Sequence, residues 1–118
     1  MTEDQRQVVH NTNDEGLRRF THDHLKVLAE FTADDCDICK DLEPAFAKLA
    51  AEERYRAVLF VRLDAAENPV ARHLMAEQSA PFFVSYCQGR LLECNTHMTK
   101  AEVQAQLDRL LALVPITI

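Results

Sequence analysis

Leu25-Lys26-Val27-Leu28-Ala29-Glu30-Phe31 leads through Thr32-Ala33-Asp34-Asp35 into Cys36-Asp37-Ile38-Cys39, then Lys40-Asp41-Leu42-Glu43-Pro44-Ala45-Phe46-Ala47-Lys48-Leu49. The first segment is apolar on both faces, which suits a central strand covered by helices on either side. In the last, Ile38, Leu42, Ala45, Phe46 and Leu49 recur at helical spacing, so one stripe faces the sheet. Asp34-Asp35 offers oxygen acceptors to cap that helix. Pro44 falls inside the stripe. It lacks the N–H that would reach the Lys40 carbonyl, which predicts a kink. Ala57-Val58-Leu59-Phe60-Val61-Arg62-Leu63 reads as a second buried strand. Strand, helix, strand over this distance is a βαβ unit with a right-handed crossover.

Working outward, Gln7-Val8-Val9-His10 reads as a short strand, and Asn13-Asp14-Glu15 starts a helix that turns Leu17 and Phe20 inward. Beyond the βαβ unit, Asn68-Pro69 opens another helix, with Asn68 as N-cap and Val70, Ala71, Leu74 and Met75 on its apolar side. Phe82 to Cys87 and Arg90 to Cys94 flank Gln88-Gly89 as a hairpin. Thr99-Lys100-Ala101-Glu102 is a capping box. Val103, Leu107, Leu110, Leu111 and Val114 form the stripe of the last helix, and Pro115 stops it. The order β-α-β-α-β-α-β-β-α predicts an α/β fold: a central mixed β-sheet flanked by helices, one domain over residues 1–118.

Composition narrows the function. Of 118 residues, 47% are hydrophobic and 27% charged, which is globular rather than disordered. Thirteen Lys+Arg against 19 Asp+Glu leave a net charge of −6. With no basic cluster, the chain is unsuited to nucleic acid or to an anionic membrane surface. Its two glycines cannot build a phosphate-cradling loop. Apolar runs such as Leu110 to Val114 fall far short of the roughly 20 residues that span a bilayer. The polar, acidic start is unlike a signal peptide, so the expected location is cytoplasmic. In a reducing compartment four cysteines do not read as a disulfide framework.

The chemistry centres on Cys36 and Cys39. Two cysteines three apart fit one helical turn, so their sulfurs can approach bonding distance. They sit just past the carboxyl end of a central strand, where open α/β sheets place their sites. Free N–H groups and the dipole at a helix start stabilise a thiolate, the attacking species in thiol–disulfide exchange. Cys36, nearer the free end, is expected to be the exposed nucleophile. Cys39, a turn deeper, is expected to be the shielded resolving thiol. The competing readings are an inert buried pair or half of a zinc site. Zinc wants four ligands, yet Cys87 and Cys94 do not form a second C-x-x-C. Around a Gln88-Gly89 turn, Cys87 faces Arg90 and Cys94 faces Phe83, too far apart to bond. Both therefore read as buried apolar cysteines. His22 and His24 read as a solvated loop.

Nearly end to end, the chain resembles the thioredoxin family. The family's Trp-Cys-Gly-Pro-Cys-Lys site stands here as Asp35-Cys36-Asp37-Ile38-Cys39-Lys40. Its helix proline matches Pro44, its buried acid Glu30, the lysine beside that acid Arg62, its Asn-Pro Asn68-Pro69, and its cis-proline Pro81, eight residues before Gly89. The resemblance implies a thiol–disulfide oxidoreductase in which Cys36 attacks and Cys39 resolves. Glu30, supported by Arg62, would take the Cys39 proton; the plainer reading is a solvated acid at a strand end. A cis Ala80-Pro81 bond would present the Ala80 backbone to an extended substrate, whereas a trans proline would merely open a strand. Asp35 would border the partner surface, and His97 would stand where the family often has a glycine beside the substrate groove. By the same resemblance, the redox-active disulfide needs no metal or organic cofactor. The partners would be protein disulfides and a reductase or thiol donor, and the chain a monomer. The alternative is a thioredoxin-fold adaptor or chaperone-like module with a vestigial pair.

The departures from the family pattern are acidic. There is no tryptophan, and Asp34, Asp35 and Asp37 surround Cys36. A helix start favours the thiolate by up to roughly 1–2 kcal/mol. Each carboxylate at about 4 Å in water opposes it by roughly 1 kcal/mol. The near-cancellation predicts a Cys36 thiol less acidic than in a standard thioredoxin, a salt-sensitive reaction and a reducing couple.

Overall fold

The computed structural model describes residues 8–34, 36–65, 73 and 80–115. Lys26–Thr32 (β2) lies inside the sheet and bonds on both edges. It runs parallel to Val58–Asp64 (β3) and antiparallel to Phe82–Cys87 (β4), so that Glu30 sits between Arg62 and Phe83. Val9–Asn11 (β1) and Arg90–Thr96 (β5) form the edges, giving the order β1-β3-β2-β4-β5. The sheet is therefore mixed, as expected.

The two faces explain why the central strands are apolar throughout. Val27, Ala29 and Phe31 join Leu59, Val61, Leu63 and Val84 in one core with Leu17. Leu17 comes from Asp14–Asp23 (α1), whose N-cap Asn13 accepts the Gly16 N–H at 2.9 Å. Leu28, Phe60 and Phe83 face the other way, against Leu42, Phe46 and Leu49 of Asp37–Ala51 (α2) and Val103, Leu107 and Leu110 of Lys100–Ala112 (α3). α2 continues through Pro44, and a single 3₁₀ turn, Glu53–Tyr55, leads into β3. The predicted capping box closes the start of α3.

Four details differ from expectation or fall outside it. The helix expected at Asn68-Pro69 lies outside the described residues, although His73 is helical. Val114 does not join the core stripe: α3 ends at Ala112 and Val114 is exposed. The last carbonyls of that helix are taken by a lysine instead. Lys26, buried at the start of β2, donates from Nζ to Leu111 O at 2.8 Å and Leu113 O at 2.7 Å. Finally, Cys94 faces Val84 rather than Phe83, because the ladder shifts register between Ser85 and Tyr86. Cys87 does face Arg90, across a turn whose Gln88 and Gly89 both have positive φ (55° and 77°). That left-handed pair matches the twist of the flanking strands. Neither cysteine is in a disulfide: Cys87 is buried in the α2–α3 core, and Cys94, half-buried rather than buried as expected, packs against the α1 core on the opposite face of the sheet.

Candidate active site

Strand register gathers the site at one end of the sheet. β2 ends at Thr32 and the chain passes directly into α2. Phe82 pairs with Phe31 on one side and Thr96 on the other. Pro81 and His97 therefore lie level with the Thr32–Asp34 link that leads to Cys36. The Ala80–Pro81 bond is cis, with Pro81 buried and Ala80 half-buried.

The α2 start differs from the expected cap. Its N-cap is Cys36 itself, extended at φ −103°, ψ 101°, and the Cys36 Sγ accepts the Cys39 N–H at 3.1 Å. Asp34 lies exposed, two residues before this cap. Asp35 lies outside the described residues. Cys36 and Cys39 form a disulfide with Cα atoms 5.2 Å apart. The asymmetry expected from the sequence is present: Cys36 is half-buried, whereas Cys39 is buried at 5% exposure. A donated N–H and the helix dipole meet at the outer sulfur, which is the arrangement that favours a thiolate there once the pair is reduced.

Two residues before the end of β2, Glu30 is fully buried. Its Oε1 accepts from Arg62 Nε at 2.8 Å, and its Oε2 has no hydrogen-bond partner among the described residues. Burial pushes the Glu30 carboxyl above the ordinary carboxylate range. The hydrogen bond and charge of Arg62 pull it back in part, and the like charge of Glu43 pushes it up further. Arg62 also reaches Glu43, Nη1 to Oε1 at 3.2 Å. A cavity of about 150 Å³ opens beside these groups, lined by Cys39, Lys40, Glu43, Arg62 and the Thr32–Asp34 link.

His97 is buried and tied down. Its ring stacks on Phe83, centroids 5.5 Å apart, and its Nε2 lies 2.7 Å from Gln106 Oε1. The fully buried Gln106 turns its amide nitrogen to Phe83 O at 3.1 Å and Ser85 Oγ at 3.2 Å. That leaves its oxygen to accept, so His97 Nε2 carries the proton.

The thioredoxin family model matches residues 7–111. The chain belongs to the thioredoxin family. It is 30% identical over 101 residues to thioredoxin H1 of Arabidopsis thaliana, covering 86% of this chain and 87% of that one. Against thioredoxin-3 of Dictyostelium discoideum it is 26% identical over 104 residues, covering 86% and 94%. Among solved structures, a mutant thioredoxin from Halobacterium salinarum superposes with a TM-score of 0.80 at 22% identity, covering 97% of this chain and all 100% of that one. The Malassezia sympodialis thioredoxin does so at 0.79 and 20% identity, covering 95% and 97%. These structural likenesses carry the fold. Family membership, with the Cys36–Cys39 pair at disulfide distance, supports a thiol–disulfide oxidoreductase.

Two residues of this thioredoxin-family site were not singled out from sequence. Glu43 lies one helical turn after Cys39, so its spacing alone puts it on the same face. Gln106 interrupts the apolar stripe of α3 directly before Leu107, and a polar residue there signals a buried partner. His22 and His24 lie elsewhere. They line a shallow cavity with Gln88 and Gly89 at the far end of β2, where Gln88 N donates to Leu25 O at 2.8 Å. Among the described residues no cluster of His, Cys, Asp and Glu is placed to hold a metal ion, and no helix is long and apolar enough to cross a membrane.

Proposed function

We propose that this protein reduces protein disulfides through the Cys36–Cys39 couple. The observation that carries this reading is the unequal exposure of the two sulfurs at the start of α2, the outer one capped by an N–H and the inner one lining a cavity with Arg62, the partner of a buried acid. The Cys36 thiolate attacks one sulfur of the substrate disulfide. A mixed disulfide forms, and the first substrate thiolate departs to take a proton from water. Glu30, held by Arg62, accepts the proton of the Cys39 thiol. The Cys39 thiolate attacks Cys36 Sγ, the Cys36–Cys39 disulfide closes, and the second substrate thiolate leaves. Two electrons and, through solvent, two protons have passed to the substrate. A reductase or small thiol donor then restores the dithiol, and no metal or organic cofactor enters the cycle.

The Ala80–Pro81 segment lies along the substrate's path as an edge for an extended peptide. His97 borders the same groove, and the acidic sequence around Cys36 restricts the partner set to disulfides in neutral or basic surroundings. The protein works as a monomer in the reducing cytoplasm. Insulin-disulfide reduction with dithiothreitol tests the reading. Cys36→Ser is expected to lose the whole rate above the dithiothreitol background. Cys39→Ser is expected to accumulate a Cys36 mixed disulfide visible by mass spectrometry. Equal rates for wild type and Cys36→Ser would overturn the reading in favour of an adaptor.

A further inference from the structure

Arg62 serves two carboxylates that live in different solvents. Its Nε is 2.8 Å from Glu30 Oε1 and its Nη1 is 3.2 Å from Glu43 Oε1, while Nη2 has no hydrogen-bond partner among the described residues. The Glu30 side chain is 0% exposed and that of Glu43 is 58% exposed. One guanidinium charge cannot fully neutralise both acids. Water stabilises the Glu43 carboxylate, so any unmet negative charge is felt most strongly at the buried Glu30. Glu43 also lines the cavity shared by Arg62 and Cys39.

We infer that Glu43 is a positioning residue for the proton transfer: by sharing Arg62 with Glu30, it draws guanidinium charge away from the buried carboxyl and keeps that carboxyl a strong acceptor for the Cys39 proton. The inference rests on the reading of Glu30 as that acceptor. Among the described residues, Arg62 of β3 bonds Glu30, and the cavity that Arg62 lines also takes Cys39, Lys40 and Glu43 from α2 and Asp34 from the link before it. On β4 the facing residue is the uncharged Phe83, with His97 stacked beyond it. Of these, Glu43 is the acid in contact with the same guanidinium. The direction of the Glu30 shift agrees, since the like charge of Glu43 contributes to raising it.

Glu43→Gln is the decisive variant, because the amide still offers Arg62 Nη1 an acceptor while the charge is removed. The Glu30 carboxyl is followed by carbon-13 NMR through a pH titration of the disulfide form. Its midpoint is expected to move to lower pH by roughly half a unit to one unit, a three- to tenfold change in protonated fraction. Asp41→Asn removes an exposed acid from the same helix and is expected to leave the midpoint nearly unmoved. Resolution of a preformed mixed disulfide, measured on the alkaline side of both midpoints, is expected to slow in Glu43→Gln. An unmoved midpoint in Glu43→Gln, or an equal movement in Asp41→Asn, overturns the inference. A moved midpoint with an unchanged resolution rate upholds the charge sharing and instead overturns the role given to Glu30 in the proposed cycle.

Discussion

Replacing Glu30 by Gln is expected to stabilise the disulfide form at neutral and alkaline pH, even though it removes an ion pair. Glu30 is fully buried with Arg62 as its hydrogen-bonded partner among the described residues, and desolvation raises its proton affinity above the ordinary value near 4.5. A carboxyl with a raised native midpoint binds its proton more tightly in the folded state than in the unfolded one. The contribution to stability is therefore fully present below about pH 4.5 and is lost as pH rises through the native midpoint. Each pH unit separating the two midpoints is worth about 1.4 kcal/mol. Gln has nearly the same shape and keeps an acceptor for Arg62 Nε. Arg62 is not stranded, because Glu43 still holds its Nη1. The gain at pH 8 is expected to be about 1.4 kcal/mol for each pH unit by which burial raises the native midpoint. For a domain of this size that is roughly 4 °C in melting temperature per kcal/mol. Thermal melts of both proteins from pH 4 to 8, disulfide intact, measure it. The curves should converge at the acid end and separate as pH rises. A Gln variant that melts below wild type at pH 8, or a gap that is the same at every pH, would refute the argument that burial dominates at Glu30.

Asp37→Asn removes one of the carboxylates beside Cys36, at the first position of α2. It is expected to lower the Cys36 thiol midpoint and raise the rate of attack severalfold at low ionic strength, an advantage that salt erases. Absorbance of the thiolate against pH, repeated at high salt, checks both parts, and an unchanged midpoint would contradict them. Lys26→Met removes two charge-assisted bonds from the end of α3. A loss of about 2 kcal/mol is expected, with faster amide exchange in the last turn of that helix. Urea unfolding and hydrogen exchange would read these, and a variant as stable as wild type would mean that burying the ammonium costs as much as its bonds return.

Much of this molecule was legible in the periodicity of residues 25–63. The both-faced apolar pattern of β2 and β3 and the stripe of α2 survive in the cores that Leu28, Phe46 and Phe60 share. The Glu30–Arg62 contact was legible too, because a parallel pairing of those strands sets the two residues side by side. What escaped were features decided by distant or non-repeating geometry. Nothing in composition distinguishes a cap at Asp34 from one at Cys36, since sulfur is a weak acceptor that capping preferences do not favour. The register shift at Ser85 and Tyr86 carries no glycine or proline to announce it, and it moved the partner of Cys94 by one residue. Glu43 and Gln106 look like ordinary helix residues until the fold brings Arg62 and His97 against them.

The placement of the remaining thiols sets a storage limit. Cys87 and Cys94 are held apart by the sheet, and Cys87 pairs with Lys26 at the opposite end of β2 from the active turn. Neither can close a ring with the other, and Cys87 cannot borrow a partner from the reactive pair. Each molecule can thus carry a single pair of electrons, filled and emptied in one compartment of the chain.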